Sequence, residues 1–83
     1  MIIFADFNNF DQDGFIRLNT IGTIRDLADA GIVLHEGLRL TVSDNDLKAE
    51  IQVMPPANEG VWRGKVVSVI EEFDHSSKSW SPL

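Results

Sequence analysis

The chain has 83 residues, 43% hydrophobic and 24% charged, a balance that suits one globular domain and excludes a disordered chain. There is no cysteine, which excludes a disulfide framework, a thiol nucleophile and cysteine-bearing zinc sites and leaves folding to the apolar core. Seven Lys and Arg against thirteen Asp and Glu give a net charge of −6, so phosphate backbones are repelled and nucleic acid is a poor default partner.

Ile2 to Phe7 reads as a short apolar strand. The opening MIIFADF has no basic region and too short an apolar stretch for a signal peptide, and no run approaches the ~20 apolar residues of a membrane span. A cytoplasmic protein without a membrane segment is the expectation.

The next stretch, NNFDQDGFIRLNT, comes close to a calcium-binding loop starting at Asn9, with Asp11 and Asp13 at alternate positions, Gly14 after them and Ile16 at the apolar position. Calcium loops close with a bidentate Glu at loop position twelve, and Thr20 stands there instead. The upstream flank suits a strand better than an entering helix. The calcium candidates Asn9, Asp11, Asp13 and Thr20 are therefore set aside: Asn8, Asn9, Asp11, Asp13 and Gly14 read as an acidic hairpin loop that needs no ion, Asp11 and Asp13 serving backbone amides and water. The alternation after it puts Ile16 and Leu18 in the core and Arg17 outside.

TIGTIRDLADAGI is the one helical segment. Ile21, Ile24, Leu27 and Ala28 share a face at helical spacing, which predicts a short helix over 21–30 with that face inward. Thr20 or Thr23 caps it, Thr23 and Asp26 resemble a capping box, and Gly31 stops it in the left-handed conformation with Ile32 packing back on Leu27. A brief extended piece follows at 32–35.

Leu38, Leu40 and Val42 alternate with Arg39, Thr41 and Ser43. Leu47, Ala49, Ile51 and Val53 alternate with Lys48, Glu50 and Gln52. Both fit half-buried antiparallel strands, and Pro55-Pro56 ends the second. Joined by a four-residue loop at 43–46, they set Arg39 opposite Glu50. Val61 to Ile70 completes the set, with a bulge or bend at Gly64 or Val66-Val67. With Trp62 and Gly64 inward, Lys65 comes beside Glu50, giving an exposed Arg39–Glu50–Lys65 row worth about 0–1 kcal/mol per pair. Residues 75–83, HSSKSWSPL, read as a polar tail whose Trp80 folds back on the domain.

The fold expected is mainly β, a small barrel over 1–74 or two orthogonal antiparallel sheets of five to six strands, with the one helix. The segment GLRLTVSDNDLKAEIQVMPPANEGVWRGKVV resembles the meander of SH3-like small barrels; the likeness is one of pattern and transfers no functional residues.

Chemistry is sparse. His35 and His75 lie in no recognisable catalytic setting, there is no GxSxG elbow, and no glycine-rich phosphate loop is present. No cofactor is implied, and the reading is not an enzyme. What remains is an acidic binding module whose partner is another protein chain, in a regulatory or immunity-type role, or a second copy paired through an edge strand. The competing reading is a small nucleic-acid-binding barrel that uses Arg39, Lys48, Arg63 and Lys65 on one face near Trp62. A small enzyme with a pocket near His35 comes third. Trp80 is the remaining candidate contact residue.

Overall fold

The computed structural model describes residues 1–83. Its elements are β1 (Ile2–Phe4), β2 (Ile16–Arg17), α1 (Ile21–Ala30), β3 (Arg39–Ser43), β4 (Leu47–Met54), β5 (Arg63–Val66), β6 (Glu71–Asp74) and β7 (Ser79–Pro82). The fold is mainly β, as the alternating segments predict: seven strands in one curled half-barrel sheet, with a single short helix. That helix, of 10 residues, is too short to cross a membrane.

The sheet runs β1-β3-β4-β5-β2, with β6 on β4 and β7 on β6. β1 lies parallel to β3, and every other strand pair is antiparallel. β4 is long enough, at eight residues, to serve two neighbours on one side. β5 pairs with Ile51–Met54 and β6 with Leu47–Lys48. The bend expected at Val66-Val67 divides them, so 61–70 is not one strand. At the bend the Val67 amide donates to Glu50 O at 2.9 Å, and Ser68 Oγ accepts the Glu50 amide at 2.8 Å. These two bonds keep β4 satisfied where its neighbour changes. The core is a single cluster of ten side chains: Ile3, Ala5, Phe7, Ile16, Leu18, Leu27, Val42, Ala49, Ile51 and Val53.

Helix α1 starts and stops where the sequence says. Thr20 accepts from the Thr23 amide, and Gly31 adopts φ 68° while the Ile32 amide closes on Leu27 O at 2.9 Å. Its rotation differs from expectation. Thr23 and Leu27 are the buried residues, whereas Ile21 and Ile24 are 77% and 56% exposed. The cause is β1. The Ala5 amide bonds Ser43 O, so the alternation of the strand turns the polar groups of Phe4 to the outer edge. There Thr23 Oγ1 donates to Phe4 O at 2.7 Å and Asp26 Oδ2 accepts the Phe4 amide at 2.8 Å. Asp26 is thus no capping-box acid; with Thr23 it clamps the helix to the strand and closes that edge at Phe4.

The β3–β4 hairpin keeps the predicted faces but shifts the register by two residues. Arg39 pairs with Gln52 and Thr41 with Glu50. The Asp44 amide donates to Leu47 O at 3.0 Å, and Asp44 Oδ1 accepts the amides of Asp46 and Leu47, which tightens the turn. The row across three strands is therefore Arg39–Gln52–Lys65. Arg39 still reaches Glu50 diagonally at 3.0 Å, an exposed contact of little energetic weight.

The expected loose tail is largely a strand. β7 pairs with β6 from Ser79 to Pro82, and Trp80 folds back as expected, its ring 5.0 Å from that of Phe73.

Candidate binding groove

Asp11 and Asp13 converge on Arg63. Arg63 Nη1 lies 3.3 Å from Asp11 Oδ2 and 3.0 Å from Asp13 Oδ2, and Nη2 donates to Pro55 O at 2.9 Å. The guanidinium covers the Phe15 ring at 5.0 Å. Asp11 Oδ1 accepts the amides of Asp13 and Phe15 at 2.9 and 3.0 Å, so the turn chemistry read from the sequence is in place. The outer oxygen of Asp11 faces an arginine rather than water, whereas Asp13, whose side chain is 60% exposed, meets both. Burial pushes the Asp11 carboxyl up, and the Phe15 amide, the Arg63 guanidinium and the Asp13 amide outweigh it, holding it below the usual carboxylate range. Beside this cluster Arg17 grips Glu59 with two bonds at 2.8 and 2.9 Å, which holds the Glu59 carboxyl low as well.

Asn9 and Thr20 do not join the two aspartates. Asn9 bonds Arg17 and Asn19, and Thr20 caps α1. No group of three or more His, Asp or Glu side chains is placed to hold a metal ion.

The four basic candidates do not form an open cationic face. Arg39 is paired with Glu50. Lys48 Nζ sits 3.7 Å from Glu71 and 4.5 Å over the Trp80 ring. Arg63, expected on the outer face, is buried in its acidic cluster, because the 10–15 loop folds over it. Lys65 alone is exposed and forms no ion pair. Neither histidine has a hydroxyl among its hydrogen-bond partners: His35 Nδ1 meets Glu36 O and His75 Nε2 meets Asp46 Oδ1, both on the surface.

The feature that sequence reasoning missed is an apolar groove. Ile24, Leu27 and Ala28 of α1 form one wall, Val61 and Trp62 the other, and Ile32, Leu34 and Leu18 close it, around a volume of about 430 Å³. Only Asn19 and Gly60 interrupt this apolar lining. The groove exists because the Phe4 clamp turns α1, leaving Ile24 and Ala28 without a core to enter. The signal was present in the helical stripe of Ile21, Ile24 and Ala28, but such a stripe reads equally as a core face. Of the candidates named from sequence, Trp62 alone lines this groove.

Comparison with protein families, with characterised proteins and with solved structures gives no match.

Proposed function

We propose that this chain is a small acidic binding module that takes a segment of another protein chain in the groove between α1 and Trp62. The observation that carries the reading is the unpartnered apolar lining: a chain of 83 residues leaves Ile24 more than half exposed beside a concavity rather than burying it. The net charge of −6 selects the partner, favouring one with basic residues around its apolar anchors and speeding its encounter. The antiparallel β3–β4–β5 meander agrees with the resemblance to SH3-like small barrels, and a cysteine-free chain suits the reducing cytoplasm. The role proposed for such binding is regulatory or inhibitory.

Selection of a random-peptide library on the wild type, with counter-selection on Ile24→Glu and Ala28→Glu, tests this reading. Both side chains are exposed, so the fold stays intact. Enriched peptides carry apolar anchors with Lys or Arg flanks and bind neither variant. Peptides that bind both variants as well as the wild type, or no enrichment at all, overturn it.

A further inference from the structure

The extended piece between α1 and β3 borders the groove and belongs to no strand. Its residues alternate in burial as a strand does: Ile32 and Leu34 are half-buried and line the groove, while Val33 and His35 are exposed. The Ile32 amide is spent on Leu27 O, and His35 O accepts from Leu38. Between those two bonds, the amides and carbonyls of Val33 and Leu34, the carbonyl of Ile32 and the amide of His35 make no hydrogen bond within the chain.

The other edges are each obstructed at one position. Thr23 and Asp26 cap Phe4 of β1. Asn9 O takes the Arg17 amide of β2. Pro82 leaves β7 without an amide at that position.

Resting on the protein-binding reading above, we infer that the partner segment enters the groove as an extended strand that pairs with residues 32–35. Its alternate apolar side chains lie between Ile24 and Trp62, and its main chain supplies the bonds that alternate residues of the segment, Val33 or Leu34, lack on that edge. The charges beside this seam argue for basic flanks on the occupant. Glu36, exposed and in no ion pair, directly follows the segment, and the chain as a whole carries −6. A second copy of this chain carries the same −6 charge and is disfavoured by it.

The test uses three synthetic peptides with lysine flanks: one alternating Val or Leu with Thr, its counterpart N-methylated at alternate residues, and one with leucines at helical spacing. Amide shifts and hydrogen exchange of the full chain are the readout. The expected result is that the alternating peptide slows exchange at Val33 or Leu34 and shifts the Trp62 indole. N-methylation then weakens binding about tenfold or more, the loss expected for one to two hydrogen bonds. Binding of the helical peptide at Ile24 and Trp62 with Val33 and Leu34 unprotected overturns strand pairing and leaves the protein-binding reading standing. No shift with any peptide at millimolar concentration also overturns strand pairing, and the library selection then decides separately whether the groove binds a chain at all. Protection of Val33 that rises with protein concentration in the absence of peptide overturns it too, because the occupant is then a second copy.

Discussion

Arg63 Nη1 lies 3.3 Å from Asp11 Oδ2, across 52 residues of sequence, in side chains that are 9% and 5% exposed. The contact pins the acidic loop to β5, and it is the one ion pair whose two members are both buried. Removing Arg63 leaves Asp11 and Asp13 facing each other without their shared cation, and Pro55 O without its donor. Arg63→Ala is therefore expected to lower unfolding free energy by about 1–3 kcal/mol, the cost of leaving Pro55 O and the loop without their donor, read from urea denaturation. Arg63→Lys rescues little, because an ammonium does not reproduce the forked contacts to Asp11, Asp13 and Pro55 O. The double variant Arg63→Met with Asp11→Asn recovers part of the loss, since no buried charge is then stranded. Equal stability of wild type and Arg63→Ala in urea refutes the structural role.

Three carboxyls, one of them in this cluster, set the response to acid. Asp11, Glu59 and Asp74 all have folded pKa values below their ordinary ones: Asp11 despite burial, through the Phe15 amide and Arg63; Glu59 through Arg17; and Asp74 through the amides of Ser76 and Ser77. In this direction the unfolded chain binds more protons than the folded one. The stabilisation is complete above the unfolded values, about 3.9 for Asp and 4.3 for Glu, and is lost as pH falls through the lower folded values. The melting temperature should hold level from neutrality to about pH 5 and drop below about pH 4. Asp11→Asn should melt lower at neutral pH and show a shallower acid limb, because one of the three lowered carboxyls is gone. An acid limb of unchanged slope in that variant would exclude Asp11 as a contributor.

Gly64 faces Ile51, which is fully buried, and a methyl group built on Gly64 would run into Ile51 Cδ1. Gly64→Ala is expected to destabilise by about 1–3 kcal/mol through overpacking. Ile51→Val removes the Cδ1 atom that clashes, at a cost of about 0.5–1.5 kcal/mol on its own. The two together should therefore cost less than their sum, and a double-mutant cycle measures the difference. Additive effects would mean that Ile51 does not set the requirement for glycine.

What was legible in the sequence is what neighbouring residues decide. Thr20 and Gly31 bracket α1 through bonds reaching three to five residues, and the alternation at 38–42 and 47–53 names Val42, Ala49, Ile51 and Val53 as core. The register slip of two escaped because a period of two cannot see it; Asp44, by gathering the turn amides, decides it. The rotation of α1 escaped for a longer-range reason. Burying Thr23 in place of Ile21 is favourable only because Phe4, 19 residues earlier, offers an edge carbonyl to its hydroxyl. The groove follows from that bond, so the candidate site was the least legible part. Residues 75–83 looked unstructured because serines carry no periodic signal, while the order of β7 comes from Trp80 meeting Phe73 and Lys48.

The β6–β7 hairpin should open as a unit of its own. None of its strand residues is buried. Two residue pairs join β6 to β4, against five between β3 and β4 and four between β4 and β5. The remaining anchors lie at the surface: the Phe73 amide on Asp46 O at 2.8 Å, His75 on Asp46 at 2.9 Å, and Lys48 between Glu71 and the Trp80 ring. Opening the hairpin thus exposes little apolar area, whereas opening β4 exposes Ile51 and Val53 and unravels the core. The amides of Glu72 and Ser81, opposite each other across the hairpin, should exchange through a less costly and less denaturant-sensitive opening than those of Ile51 and Val53. Trp80→Ala removes the stacking and the cation contact, worth about 0.5–1.5 kcal/mol each. It should speed exchange at Glu72 and Ser81 several-fold while leaving Ile51 and Val53 almost unchanged. Exchange of all four amides at one common opening free energy, shifted equally by the variant, would make the hairpin an inseparable part of the sheet.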